Sequence, residues 1–463
     1  MDLMLKRENI FSNTKDQNPI YQFNREYLDF LSGCKTERKV ASYIVEEAQK
    51  RGFTNLEEAL KEEKTLKPGD KVYLFFKNKA VLLAVIGEKP LREGFNLVAS
   101  HLDVPRLDLK PQPLYEKDGF VLLKTHYYGG IKKYQWVTRP LALWGTVVLK
   151  GGKVLDIKYG EDENEGVLTI TDLLPHLAKD QMEKKIREAI TGEDLNALTG
   201  NIPDQEAKEN KIKTYILKLL HDRFGITEED LITAELSLVP AGPAREVGLD
   251  RSMVGGFGQD DRVCVFTSFK ALLEAGIPEK TAVALFMDRE EIGSMGNTGM
   301  QSKFLENAVL KLLAALGNKD ELALRLSLEN ARALSADVTA AVDPTFEGVL
   351  EKNNAAQINY GIVLTKYTGS GGKYGTSEAS AEFMREIIDL FNQEGIRWQT
   401  GELGKVDQGG GGTVAQFLAN LGMEVLDAGV ALLSMHSPFE VAGKADIYEA
   451  YRAYKAFLSG GKS

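Results

Sequence analysis

The chain has 463 residues, of which 43% are hydrophobic and 27% are charged, and its formal net charge at pH 7 is -10. This composition is typical of a folded globular protein with two or three domains, and it argues against a disordered chain. The acidic balance argues against a protein that binds nucleic acids, because phosphate groups are bound by basic surfaces.

The cysteine content and the N-terminal segment indicate a cytoplasmic protein. Cys34 and Cys264 are the only cysteines, so the sequence predicts neither a disulfide framework nor a zinc site built from thiolates. Residues 1–17 lack the apolar stretch of a signal peptide. We also expect no membrane association, because no run of about 18 apolar residues occurs.

The first predicted elements are a helix and a buried strand. Residues 36–52 predict the helix, because Thr36 is a suitable N-cap, apolar residues recur at helical spacing, and Gly52 can end it. The apolar run 95–100 predicts a buried strand that leads directly to His101.

The middle of the chain has a different character. Residues 141–160 predict an antiparallel hairpin that turns at Gly151–Gly152, and residues 176–232 form a charged stretch with a tendency to be helical. We therefore predict an inserted domain over residues 104–241. The first domain would be discontinuous and comprise residues 1–103 and 242–463.

The last part of the chain alternates predicted helices and buried strands. Helices are predicted over residues 260–276, over 376–395 beginning at Thr376 or Ser377, and over 444–460, whereas strands are predicted over 281–287 and 423–430. Short apolar strands that alternate with helices predict an α/β fold with a mostly parallel sheet between two layers of helices. In such sheets, ligands gather beyond the carboxyl ends of the strands.

Carboxylates and imidazoles follow several of these strands. The sequence has only five histidines, and His126, His176 and His221 lie outside the acidic motifs. The remaining candidates are His101 and Asp103, Asp260 and Asp261, Glu290 and Glu291, Asp337 and Asp343, and His436. Asp343 precedes Pro344, a pair that is typical of a turn.

Imidazole and carboxylate ligands without cysteine suit zinc, cobalt or manganese. Two His, two Asp and one Glu are enough to hold two divalent ions when one carboxylate is shared. A sixth carboxylate then remains free as a base, while the ions activate water and stabilise a developing oxyanion. We therefore expect two divalent metal ions, with zinc as the first choice.

The spacing inside two motifs supports this interpretation. Neighbouring side chains such as Glu290 and Glu291 diverge at a turn, so one can bind a cation while the other faces the activated water. Positive metal charge offsets the repulsion between the two carboxylates. Because His101 and Asp103 are two residues apart on a strand, Asp103 could accept the second N–H of His101 and fix its tautomer.

Six blocks of sequence resemble the aspartyl aminopeptidase family of dinuclear-zinc exopeptidases, as a divergent bacterial branch. In chain order, they are SHLDVPRLDLKP, YYGGI, DDRVCVF, DREEIGS, SADVTAAVDP and SMHSPFEVA. The resemblance implies a phosphorylase/hydrolase-like catalytic domain, an inserted β-rich dimerisation domain and a dodecamer built from dimers. It also implies that the substrates are short peptides.

The resemblance also implies roles for single residues. One metal would be held by His101, Asp260 and Asp337, the other by Asp260, Glu291 and His436, with Glu290 as general base and Asp103 orienting His101. Asp260 would bridge the two metals and precede a cis peptide bond. Asp261 remains the alternative bridging ligand, because the two aspartates are adjacent.

Two further positions bear on substrate choice. Relatives that act on acidic residues carry a histidine two positions before the Trp136 equivalent, and it reaches the neighbouring subunit's site. Here that position is Tyr134, whose hydroxyl can also donate a hydrogen bond, and the preference for acidic or neutral residues is open. Lys373 lies in a flexible loop and is either a substrate-binding residue or a solvated surface lysine.

The sequence thus predicts a metal-dependent aminopeptidase that removes N-terminal residues, acidic ones among them, from peptides. Two alternatives stay open at this point. One is a deacylase or carboxypeptidase on the same dinuclear scaffold. The other is an assembly scaffold without catalytic activity, although all six expected positions are occupied by residues that suit catalysis.

Overall fold

The computed structural model describes residues 4–461. Their contacts divide them into two units. The first unit comprises the described residues before Val104, Ala244–Met435 and the described residues from Glu440 on, and the second comprises Val104–Pro243 and His436–Phe439. No helix in the described part of the chain has the length and apolar character needed to cross a membrane.

A mixed sheet forms the centre of the first unit. Across the sheet, the strands found among residues 4–461 are Thr54–Asn55, Lys71–Phe76, Ala80–Val85, Ala282–Met287, Asn96–His101, Arg332–Ser335, Glu424–Gly429, Ile362–Thr365 and Trp398–Thr400. The four from Ala282–Met287 to Glu424–Gly429 are parallel neighbours. Their carboxyl ends therefore meet at one edge, where His101 is the last residue of its strand.

Helices cover both faces of this sheet. In the first unit they are Asn18–Gly33, Glu37–Lys50, Leu56–Lys61, Gln259–Leu273, Phe304–Ala315, Glu321–Glu329, Ala381–Gln393, Ala415–Ala419 and Lys444–Ser459. The strand Asn96–His101 shows the alternation, since Val98 belongs to one apolar cluster whereas Leu97 and Ala99 belong to the other. Side chains of a strand point alternately to opposite faces, so the sheet is buried on both sides, as predicted.

Most predicted elements of the first unit are confirmed, and one boundary is wrong. Thr36 caps its helix by accepting the N–H of Lys39 at 3.4 Å. The helix expected from Thr376 begins instead at Ala381, where the Ser380 hydroxyl accepts the N–H of Phe383 at 3.1 Å. The preceding residues are extended, because Glu378 forms a bridge with another chain segment.

Smaller sheets complete the first unit. One contains the strands Arg245–Val247, Met253–Gly256, Glu440–Gly443, Ala431–Leu433 and Thr339–Ala340. The other pairs Gly369–Ser370 with Gly410–Gly411. The strand Glu440–Gly443 pairs with Met253–Gly256 just before the helix that begins at Gln259.

The second unit is built on an antiparallel sheet. Its strands, in spatial order, are Val154–Tyr159, Leu141–Val148, Glu235–Pro240, Arg106–Lys117, Phe120–Tyr128 and Asn196–Gly200. Its helices are Lys179–Met182, Ile186–Ala189, Lys211–Phe224 and Glu228–Ile232. The hairpin predicted over 141–160 is confirmed. The stretch 176–232 is only partly helical, because Asn196–Gly200 pairs with Phe120–Tyr128 as a sheet edge.

Gly429 provides a first test of the fold. A Cβ atom at this position would lie 1.8 Å from the backbone oxygen of Asp337. We expect Gly429→Ala to lower the free energy of unfolding by roughly 1–3 kcal/mol, because backbone must move to admit the methyl group. Urea unfolding measures this change.

Gly276→Ala is the matched control, because a Cβ atom at Gly276 would meet no atom within 4 Å. We expect its stability to stay close to that of the wild type. Equal unfolding free energies for the two variants would contradict the close approach at Gly429.

Candidate metal centre

Acidic side chains and one imidazole gather beyond the carboxyl ends of the parallel strands. His101 ends the strand Asn96–His101, and Asp337 lies two residues after the strand Arg332–Ser335. Glu291 lies in a short 3₁₀ helix that follows the strand Ala282–Met287. Three neighbouring strands of one sheet therefore deliver these residues to the same edge.

The structure brings these side chains within the range of shared metal ions. Ligand atoms of His101, Asp260 and Glu291 all lie within 4.8 Å of one another, and so do those of His101, Asp261 and Asp337. The His101 Nε2 atom is 3.3 Å from Asp260 Oδ1 and 3.8 Å from Asp337 Oδ1. His101 is common to both groups.

Asp103 contacts both His101 and the acidic turn that contains Glu290 and Glu291. The Nδ1 atom of His101 lies 3.0 Å from the backbone oxygen of Asp103 and 3.4 Å from its Oδ1. The carboxylate of Asp103 also accepts the backbone N–H groups of Glu290 at 3.1 Å and Glu291 at 3.2 Å. The spacing of His101 and Asp103 predicts the approach of the Asp103 carboxylate to Nδ1, but it carries no signal for the contact with the Asp103 backbone oxygen or for the contacts with the acidic turn.

The acidic turn separates its charged side chains by local backbone geometry. Arg289 adopts a left-handed conformation with φ of 70°, after which Glu290 and Glu291 enter the 3₁₀ helix. Asp288 remains buried and accepts a hydrogen bond from the Thr298 hydroxyl at 2.8 Å. Burial and nearby carboxylate charge raise the pKa of Asp288 to about 6.

Asp261 contributes more to the cluster than the sequence indicates. The peptide bond between Asp260 and Asp261 is cis, as expected. Asp261 Oδ2 accepts the backbone N–H of His101 at 3.2 Å, and the Asp261 side chain is fully buried. Since Asp260 belongs to one group of potential ligands and Asp261 to the other, both remain candidates for the bridging position.

The electrostatics of the cluster fit a bound cation. Burial raises the pKa of both Asp261 and Asp337 well above the usual range. In Asp337, the negative charge of Asp261 adds to this effect. Burial alone would lower the pKa of His101, but the hydrogen bonds that its ring donates to the carboxylates of Asp103 and Asp260 hold it well above its usual value. Closely packed carboxylates with one imidazole are a donor set that divalent zinc, cobalt or manganese would bind and neutralise.

Three further predicted site residues are not members of these two groups. Neither group of potential ligands found among residues 4–461 includes His436. His436 belongs to the second unit, where its Nδ1 lies 2.8 Å from the backbone oxygen of Gly130. Tyr134 also belongs to the second unit and is 41% exposed. Lys373 lies in the first unit, 2.9 Å from Glu378.

Comparisons with known proteins agree in family and fold. The family model described as "Aminopeptidase I zinc metalloprotease (M18)" matches residues 30–458. The "Probable M18 family aminopeptidase 1" of Clostridium acetobutylicum is 48% identical over 461 residues, which is 99% of each chain. A crystal structure of an M18 family aminopeptidase from Thermotoga maritima aligns with a TM-score of 0.94 at 43% identity, covering 98% of this chain and 100% of that one.

A more distant solved structure shares the fold alone. It is described as the S. cerevisiae mApe1 dodecamer and aligns with a TM-score of 0.76 at 21% identity. The alignment covers 95% of this chain and 97% of that chain.

Metal binding should stabilise the folded chain measurably. We expect zinc at about a hundredfold excess over its dissociation constant to raise the free energy of unfolding by about 2.7 kcal/mol, because the unfolded chain lacks the site. Asp260→Ala should abolish most of this increase. Calorimetry of metal-stripped and zinc-loaded protein provides the measurement.

Asp230→Asn is the control for that experiment. Asp230 is a buried carboxylate of the second unit, where it accepts the N–H of Thr227 at 2.8 Å. This variant should be less stable than the wild type but keep the full increase with zinc. A zinc response that survives in Asp260→Ala would contradict the candidate site.

Proposed function

The chain belongs to the M18 family of aminopeptidases, and from this premise we propose that it removes N-terminal residues from peptides by metal-assisted hydrolysis. The observation that carries the proposal is the convergence of His101, Asp260, Glu291 and Asp337. Asp103 ties this cluster to the acid pair that would supply the base. Family membership favours this activity over a deacylase or carboxypeptidase on the same scaffold, and the cluster of potential ligands argues against a non-catalytic scaffold.

The proposed metal ligands follow the family resemblance. His101, Asp260 and Asp337 would hold one divalent ion, whereas Asp260, Glu291 and His436 would hold the other. We propose zinc, which the family description names, and the same donors also suit cobalt or manganese. The bound ions would polarise the scissile carbonyl group and make water acidic enough to attack it at neutral pH.

Glu290 is the proposed general base. It would take a proton from the attacking water and pass it to the leaving amine. One contact supports this role, since the Asp103 carboxylate accepts the Glu290 backbone N–H at 3.1 Å, and the charge of Glu290 also helps to raise the pKa of Asp337. Glu290 is therefore held at the turn by its backbone, and its charge acts on a proposed ligand.

Self-association is part of the proposal. The second unit, proposed as the dimerisation domain, exposes large apolar side chains along its short helices, with Leu177 at 69%, Met182 at 76% and Ile186 at 66%. Apolar residues exposed in a contiguous segment mark interaction surfaces. We propose that dimers assemble into a dodecamer like the one described for the yeast protein, in which a closed chamber admits short peptides.

The cellular location is also a proposal. Cys34 and Cys264, the two cysteines of the sequence, are both buried, and this sparse use of cysteine suits a reducing compartment. We propose the cytoplasm on this basis.

Glu290→Gln tests the catalytic assignment. We expect kcat on an aminoacyl-nitroanilide to fall about 10²–10⁴-fold, because the amide cannot accept the proton. Zinc content, measured by atomic absorption, should stay at the wild-type level. Glu351→Gln, at a half-buried carboxylate outside the cluster, is the control and should keep full activity, and a Glu290→Gln enzyme that remains active would refute the assignment.

Tyr134 and Lys373 are the proposed substrate contacts. The Tyr134 hydroxyl would donate a hydrogen bond in the neighbouring subunit's site. Lys373 would bind a substrate carboxylate in place of Glu378, because the pair is exposed on both sides and such pairs are weak. This assignment extends the substrate range to acidic N-terminal residues, next to neutral ones.

A panel of aminoacyl substrates tests the choice between acidic and neutral residues. We expect Lys373→Ala to lower kcat/KM for Asp and Glu substrates by about tenfold, the effect of losing one charge-assisted hydrogen bond. Values for Leu and Ala substrates should not change. A uniform loss over the whole panel, or no loss at all, would exclude Lys373 as the residue that recognises an acidic side chain.

A further inference from the structure

A buried carboxylate lies behind the proposed bridging aspartate. Glu440 is 1% exposed and begins the strand Glu440–Gly443. Its Oε2 atom accepts the backbone N–H of Gln259 at 2.5 Å and the backbone N–H of Asp260 at 3.2 Å. Glu440 therefore contacts the main chain of Asp260, whereas His101 lies 3.3 Å from the side chain of Asp260.

These two N–H groups need an acceptor from outside their helix. They belong to the first residues of the helix Gln259–Leu273, where no preceding carbonyl is available. Gly258 precedes the helix and has no side chain that could cap it. Glu440 supplies the missing acceptor from a strand that pairs Glu440 with Gly256.

Two more buried side chains hold the same short segment. The Gln259 amide donates to the backbone oxygens of Val254 at 3.1 Å and of Glu440 at 2.7 Å. The hydroxyl of Tyr27, which is fully buried, donates to Gln259 Oε1 at 3.2 Å. A helix and two strands thus fix the backbone immediately before Asp260.

The backbone at Asp260 depends on this support, because it is not helical. Its φ of -79° and ψ of 106° differ from those of the helix that follows. These angles determine where the Asp260 carboxylate points. Arg262, which is fully buried, interacts electrostatically with Glu440 and provides a positive charge beside it.

We infer that Glu440 is a positioning residue of the proposed metal centre, holding the main chain of Asp260 so that its carboxylate faces His101. This inference rests on the proposed function, since it assigns Asp260 to the metal. Hydrogen-bonding partners behind a ligand commonly change metal affinity when they are removed. Glu440 acts through Asp260 and needs no contact with metal or substrate.

The test compares Glu440→Ala with Glu440→Gln in the full chain. Zinc affinity is measured by competition with a chromophoric chelator, and the ligand geometry is followed by the visible absorption of the cobalt-substituted protein. We expect Glu440→Ala to weaken zinc binding about tenfold or more and to alter the cobalt spectrum. Glu440→Gln keeps an oxygen acceptor and should recover most of the affinity.

Glu449→Ala is the matched control. Glu449 is also a buried carboxylate that accepts a backbone N–H, from Arg397 at 2.8 Å, but it lies on the final helix. We expect it to lower stability and leave both metal readouts unchanged. If Glu449→Ala changes them as much as Glu440→Ala does, the effect is general destabilisation and the inference is wrong.

Two further outcomes separate the inference from the proposed function. A wild-type protein that takes up no metal would overturn the proposed function itself. If the wild type binds zinc and a folded Glu440→Ala variant binds it with the same affinity, only the role of Glu440 is overturned. If Glu440→Ala does not fold, Glu440→Asp replaces it, because its carboxylate is one methylene shorter and loses reach to the N–H groups of Gln259 and Asp260; weaker zinc binding is expected, and unchanged binding would overturn the inference.

Discussion

The concentration of carboxylates around a single buried imidazole is the constraint on which this structure depends. Removing charged groups from water is costly unless opposite charge and hydrogen bonds compensate. Here part of the compensation comes from the backbone, since Asp103 accepts two N–H groups of the acidic turn and Asp261 accepts the N–H of His101. A bound cation would compensate the rest, at the edge where the four parallel strands of the mixed sheet end.

The aspartates around His101 make different contacts. Asp260 and Asp337 face the imidazole of His101 with their carboxylates. Asp103 approaches the imidazole with its main-chain oxygen at 3.0 Å and with Oδ1 at 3.4 Å, while its carboxylate oxygens also accept the backbone N–H groups of Glu290 and Glu291. Asp103 therefore contacts both the imidazole of His101, a proposed ligand, and the backbone of Glu290, the proposed base.

The sequence predicts those features that are written in local patterns. Apolar runs that end in acidic residues indicate the strands and the edge where the site forms, and N-caps such as Thr36 indicate helix starts. What it does not reveal depends on contacts between distant segments. Glu440 and Gln259 are 181 residues apart, and no periodicity or spacing links them. The late start of the helix at Ala381 has the same origin, because a bridge from Glu378 to Tyr367 competes with helix formation.

The strand that carries His101 has a further consequence for how this protein can vary. Asn96 pairs with Ala282 and His101 with Met287, so both ends of the strand are matched residue by residue to their neighbour. Inserting or deleting one residue would send every following side chain to the opposite face of the sheet. The imidazole would then lie out of reach of the carboxylates, and the apolar side chains would point into the wrong one of the two apolar clusters. Substitutions within this strand keep its register, whereas insertions and deletions change it. The length of the strand is therefore constrained more strongly than its individual residues.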